Sequence, residues 1–235
     1  MNQEVLVERF FQALTLGDRG MARGIINETV EAGINGEDLT TELFWPTLHL
    51  IYKLRKADQL STLQHGLAVR LMRNLADQTQ MRLGWQERNG RRVLAMCGNT
   101  EPDELSAAMA CDLIEAGGFE VAFAGGGIPT DEVIARVGED RPDILLLFAS
   151  AAADLPEVRR LIDELHNLNV CPSLQVVVGG GVYGRAEGLA EEIGADLYLP
   201  DLRDVVEVLL AKAERRAAPS QRTVGKKRLL KPTAA

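Results

Sequence analysis

The chain has 235 residues, of which 46% are hydrophobic, 26% charged and 5% aromatic, the profile of a soluble globular chain long enough for one large domain or two small ones. It lacks the run of about 18 apolar residues that a membrane helix requires, and its N-terminus carries acids in the apolar stretch and no basic start, so neither a membrane span nor a secretory signal is expected. The net charge of −8 is unevenly placed: residues 212–235 hold eight basic residues against Glu214, which leaves −15 on residues 1–211, and a body that acidic disfavours a DNA-binding core.

Residues 1–85 read as helices only. Val5, Leu6, Phe10, Phe11 and Leu14 follow a helical stripe that Gly17-Asp18 ends, and a second helix is expected over 18–32 with Gly33 as its left-handed stop. A third spans 38–56, bent or divided by Pro46. The fourth spans 60–83, with Leu63, Leu67, Leu71 and Leu75 four apart on one face. Together they predict a four-helix bundle (1–85), followed by a polar linker, 86–92. Short apolar runs then appear at 93–96, 121–124, 144–148, 175–178 and 197–199. They alternate with helical patterns at 103–117, 129–138, 155–168, 184–193 and 202–216. This predicts an α/β domain over 93–216, a five-stranded parallel sheet of Rossmann-like or flavodoxin-like type, with ligands at the C-terminal strand ends. The basic residues 217–235 have no periodicity and read as a disordered tail.

Gly125-Gly126-Gly127 and Gly179-Gly180-Gly181 fall at that binding edge, where they either admit a ligand to the backbone or make tight turns. After the first strand stands Cys97-Gly98-Asn99-Thr100-Glu101-Pro102-Asp103, which is not GxGxxG, so dinucleotide binding is disfavoured. Thr100 or Asp103 caps the following helix, and acids there suit the helix dipole but would repel a phosphate. Phe148-Ala149-Ser150 and Pro200-Asp201 stand where a receiver domain needs its aspartate and lysine, so phosphotransfer is unsupported. Three histidines (His49, His65, His166) and three scattered cysteines (Cys97, Cys111, Cys171) build no catalytic triad, zinc site or disulfide framework. The cysteine pattern points to a reducing cytoplasm.

The two halves together resemble the cobalamin-binding module of corrinoid proteins, methionine synthase and light-sensing regulators, over about residues 15–212. In the bundle the likeness rests on Gly17-Asp18, residues 32–39 (AGINGEDL), Pro46 and Gln64-His65. In the sheet domain it rests on Gly118-Phe119-Glu120-Val121, Val178-Gly179-Gly180, Ile193-Gly194-Ala195-Asp196 and Pro200-Asp201. The resemblance implies cobalamin as cofactor, with Glu101, Asp103, Ser106, Ser150, Gly179, Gly180, Gly181 and His65 at its site. The family's Asp-x-His-x-x-Gly falls on Glu101, Asp103 and Ser106, so an aspartate stands where the cobalt-binding histidine is expected, and Asp103 is a poor cobalt ligand. The family's Ser-x-Leu falls on Phe148-Ala149-Ser150, and its bundle tryptophan is replaced by Leu54. These departures imply cobalamin held without the lower histidine, weakly or not at all, with His65 as the candidate upper cobalt ligand. The expected function is a regulatory or sensor module with a protein partner or as a homo-oligomer. The alternatives are a corrinoid carrier of a methyltransferase system and a cofactor-free interaction scaffold. Nucleic acid is expected only through the basic tail.

Overall fold

The computed structural model describes residues 2–218 and 221. The expected tail, 217–235, therefore lies outside the described residues except for Ala217, Ala218 and Gln221.

The first half is helical. α1 (Gln3–Leu16) is capped by Asn2 and closed by Gly17 at φ +68°. Asp18 then accepts from the Met21 N–H and opens α2 (Arg19–Glu31). The third expected helix is three pieces in one run: α3 (Gly36–Asp38), a π-helical turn (Leu39–Phe44) and α4 (Trp45–Lys56). Pro46 explains the break, because it has no N–H to offer the Glu42 carbonyl. That carbonyl instead accepts from the Gln3 side chain at 3.1 Å. α5 (Thr62–Gln80) starts from a capping box in which Ser61 and Gln64 satisfy each other's backbone N–H groups, both at 3.1 Å. Its leucine row does not stay in the core. Leu71 and Leu75 are buried, but Leu63 is 72% and Leu67 38% exposed. A four-residue spacing drifts by about 40° per step around a helix of 3.6 residues per turn, so four leucines cannot share one narrow face.

The second half alternates β1 (Arg92–Cys97), α6 (Glu101–Ala116), β2 (Glu120–Gly126), α7 (Thr130–Asp140), β3 (Ile144–Phe148), α8 (Leu155–Leu168), β4 (Gln175–Gly179), α9 (Leu189–Ile193), β5 (Leu197–Leu199) and α10 (Val205–Ala211). All pairings are parallel and the strand order is β2-β1-β3-β4-β5, so chain direction across the sheet reverses between β1 and β3. This is the flavodoxin-like order rather than the dinucleotide-binding one. α9 and α10 are shorter than the sequence pattern suggests; Gly188 at φ +79° separates α9 from a 3-10 turn at Tyr183–Arg185.

Side chains alternate between two buried faces, as a covered parallel sheet requires. Leu94, Met96, Leu145, Leu147, Val176 and Val178 pack under α7, α8 and α9. Val93, Ala95, Ile144, Leu146, Phe148 and Val177 join α6, α10 and the buried helical residues Phe10, Phe44, Leu48 and Met72 in one continuous core. The bundle thus sits directly on one face of the sheet domain. Gln80 to Asp112 (2.8 Å), Arg73 to Glu104 (3.0 Å) and Arg70 to Glu101 (3.8 Å) tie α5 to α6. The linker is held too: the Asn89 N–H donates to the Gly118 carbonyl, and a Cβ on Gly118 would lie 2.2 Å from the Glu87 carbonyl oxygen.

Candidate functional site

The C-terminal edge of β1, β3 and β4 meets the first turn of α6 under α4 of the bundle. Thr100 caps α6 by accepting from the Asp103 N–H at 3.2 Å, and its hydroxyl donates back to Asp103 Oδ2. The exchange draws the Asp103 carboxylate inward. The residue is 2% exposed, and its Oδ1 has no hydrogen-bond partner. One turn on, Ser106 is also buried and its hydroxyl donates to the Pro102 carbonyl at 2.9 Å.

Asp154 approaches from the turn after β3, with its Oδ2 buried and unpartnered. A methyl group on Gly98 would lie 2.8 Å from Asp103 Oδ2 and 3.1 Å from Asp154 Oδ2, so the two carboxylates converge on a gap that only glycine leaves open. Burial, then the Asp103 charge, raises the Asp154 pKa. Two tyrosines close the cluster. Tyr183, 2% exposed, has an unpartnered hydroxyl, and burial followed by the Asp154 and Asp103 charges pushes its pKa up. Tyr52 reaches in from α4, and burial raises its pKa as well; the hydroxyls of Ser150 and Ser106 oppose part of that effect, though none makes a hydrogen bond of ordinary geometry to it. Burial, then Glu104 and Asp103, lifts the Cys97 thiol to about 12, which keeps it protonated and poorly nucleophilic.

The expected site residues thus divide. Asp103, Ser106 and Ser150 come together around Tyr52. Gly179 and Gly180 lie beside them and are closely packed: a Cβ on Gly179 would lie 2.6 Å from the Phe148 ring, and one on Gly180 2.2 Å from the Ala149 carbonyl oxygen. Gly181 has nothing within 4 Å of its Cβ position. Glu101 turns outward to Arg70. His65, on the first turn of α5, feels the charges of Arg55 and Glu101, and burial is the main cause of its lowered pKa. Of the other two histidines, His49 packs against Trp45 with the rings tilted by 50° and feels the Asp201 charge, and the His166 Nδ1 contacts the Ile162 carbonyl oxygen. Sequence reasoning missed Tyr52, Asp154 and Tyr183. Asp154 and Tyr183 follow strand ends and were within reach of the strand-end rule, whereas only the packing of α4 on the sheet reveals Tyr52.

Adjoining this cluster, a cleft of about 310 Å³ opens between β1 and β3, lined by Gly98, Asn99, Gly125, Gly127, Thr130 and Asp154 among others. Gly125 (φ +81°) and Gly127 (φ +74°) shape its rim, and a Cβ on Gly126 would lie 2.5 Å from the Gly98 carbonyl oxygen. The first triplet therefore makes a tight turn and also borders a cleft at the topological switch point.

Comparison with known proteins places this geometry. A trimethylamine corrinoid protein of Methanosarcina barkeri is 22% identical over 212 residues, 87% of this chain and 95% of the relative. Dimethylamine corrinoid protein 1 of Methanosarcina acetivorans is 26% identical over 111 residues, 46% of this chain and 51% of the relative. The structure of the Methanosarcina barkeri monomethylamine corrinoid protein superimposes with a TM-score of 0.78 at 16% identity, covering 90% of this chain and 99% of that one, a likeness of fold. The B12 binding domain family matches residues 91–210, more than half of the chain, and the protein belongs to that family.

Proposed function

We propose that the protein is a corrinoid protein of the kind that serves a methyltransferase, holding its corrinoid without a histidine beneath the cobalt. The match to a trimethylamine corrinoid protein, over 87% of this chain and 95% of that one, carries this reading, and it favours a carrier over a regulatory or sensor module. The cofactor implied by the family is cobalamin, and the residues at the edge bear on how it would sit. Asp103 offers a buried carboxylate where an imidazole would be needed, and the Phe148 ring fills the space over Gly179. This edge fits a corrin ring held by shape and hydrogen bonds. It does not fit one anchored through an imidazole with its nucleotide tail laid over β4.

In that reading Ser150, Ser106 and Tyr52 would offer hydroxyls to the corrin's amide side chains, and Gly181, with open space at its Cβ position, would let its rim approach the backbone. The imidazole of His65, its pKa lowered by burial, would approach from the bundle side. A bound corrinoid would supply a metal able to accept and release a methyl group. The protein's part is to bury the lower face, exclude water and present the upper face to a methyltransferase. The partner enzyme, a reducing cytoplasm and self-association belong to the same proposal.

Incubation with hydroxocobalamin, desalting and visible spectroscopy tests the reading. Retained corrin absorbance is expected, and His65→Ala should change the spectrum if that imidazole is the upper ligand. A colourless protein would overturn the carrier reading in favour of the cofactor-free scaffold that the packed Phe148 ring otherwise suggests.

A further inference from the structure

After α10 the chain is tied down by buried polar groups. Gln175, fully buried on β4, donates through its side-chain nitrogen to the Lys212 carbonyl at 2.8 Å and the Arg215 carbonyl at 3.1 Å. Buried Asp196 accepts from the Ala217 N–H at 2.8 Å, and Arg216 donates to the Ser173 carbonyl at 2.7 Å. These bonds hold residues 212–217 against the N-terminal edge of the sheet and fix where the following segment starts. That segment, 219–235, carries Arg222, Lys226, Lys227, Arg228 and Lys231, no acidic residue, and an apolar pair, Leu229-Leu230.

The cleft between β1 and β3 is complementary to both properties. Its walls include Ile128, Val133, Leu147, Val158 and Leu161, which belong to the core under α7 and α8. Its lining holds the carboxylates Asp154 and Glu157 and no lysine or arginine, while Asp131 and Glu132 stand on the adjoining first turn of α7. Arg160, one turn along α8, is shared among Glu157, Glu164 and Thr130. Other grooves match less well: the one between α2 and α5 presents Arg19 and Arg23, and the one beside the linker presents Arg203. The distance is also suitable. Leu229 follows Ala218 by 11 residues, an extended reach of about 36–40 Å. The cleft lies at the far end of strands about 17 Å long and two or three strand spacings of about 5 Å away.

We propose that residues 226–231 (KKRLLK) dock in this cleft of their own chain, with Leu229 and Leu230 on its apolar walls and the flanking basic side chains on the carboxylates of α7 and α8. Because the segment is tethered at Gln175 and Asp196, the contact is intramolecular and benefits from a high effective concentration. Docked there, it would cover the loops after β1, β2 and β3 and close one approach to the strand edge where ligands enter this type of fold. The inference goes beyond the corrinoid reading and stands whether or not a corrinoid is bound.

Zero-length carbodiimide cross-linking of the full-length monomer, without added corrinoid and read by peptide mass spectrometry, tests the docking. Expected are links within one chain from Lys226, Lys227 or Lys231 to Glu157, Asp131 or Glu132, with a yield that falls at high salt. Leu229→Ser with Leu230→Ser, and separately Val158→Arg, should lower that yield at least about tenfold. Circular dichroism checks that Val158→Arg folds; if it does not, the leucine variant, which lies outside the described fold, decides alone. Links spread evenly over the carboxylates of the body, or formed only between chains, overturn the docking. So does a yield that the leucine variant leaves unchanged. Lysines that link to neither α7 nor α8 but are shielded by a short DNA duplex or phosphatidylserine vesicles would assign the segment to an anionic surface and overturn it equally.

Discussion

At the scale of single residues, Asp103, Ser106 and Phe148, which the sequence sets against the pattern of the family it resembles, are tightly packed. The Phe148 ring lies so close to Gly179 that any side chain there would collide with it. Phe148→Ala therefore has opposite consequences for stability and binding. It should cost about 3–5 kcal/mol by leaving a cavity, read as a lower urea midpoint, while corrinoid retention rises because the space over β4 opens. A variant that loses stability without gaining retention would show that the ring does not obstruct the cofactor. Gly180 makes a cleaner backbone test. Alanine there would place a Cβ 2.2 Å from the Ala149 carbonyl oxygen at φ +102°. The expected loss is about 2 kcal/mol or more, and an unchanged denaturation midpoint would contradict it. Asp103 was legible in the sequence as a candidate site residue because the spacing puts it at the start of the helix after β1. The inward pull of the Thr100 hydroxyl and the arrival of Tyr52 were not, since both depend on how helices pack.

At the scale of elements, alternation and capping made most of the fold legible. The β3 and β5 runs and α8 match the sequence boundaries, because short apolar blocks between glycine and proline signals leave little freedom. The π-turn before Pro46 was not predictable in form: the sequence announces a break but not that Gln3 of another helix fills the vacated bond. The α5–α6 contact carries a pH prediction. Burial, then Asp77 and Glu115, raises the Asp112 pKa to about 6, while the Gln80 bond pulls it down. A carboxyl whose folded pKa lies above its unfolded value is destabilising when charged. Stability should therefore increase as pH falls from about 7 towards 5, as the folded state takes up a proton that the unfolded chain does not. The amplitude should be about 1 kcal/mol after solvent screening. Asp112→Asn should stabilise the protein at pH 7.5 and flatten that slope in urea melts; an unaltered slope would assign the pH dependence to other groups.

At the scale of the whole molecule, one core runs from Phe10 and Phe44 in the bundle through Leu105 and Met109 on α6 to Ile144 and Val177 in the sheet. Sequence patterning separated the halves at the linker but could not show that they share an interior, because apolar stripes do not name the surface they will cover. We infer that the halves unfold together. Buried Trp45 reports on the bundle, and its fluorescence should melt at the same temperature as the far-ultraviolet dichroism of the whole chain. Two separated transitions would show independent domains. The joined interior holds α4 against the sheet edge that carries Asp103, so in the proposed carrier a carboxylate would stand beneath the corrin. The most direct test is electron paramagnetic resonance of the cobalt(II) form of cobinamide, which brings no nucleotide base, bound to the His65→Ala protein. The spectrum should show no axial nitrogen splitting, and adding Asp103→His should introduce it. Nitrogen splitting already present with Asp103 in place would contradict a corrinoid held without imidazole from below.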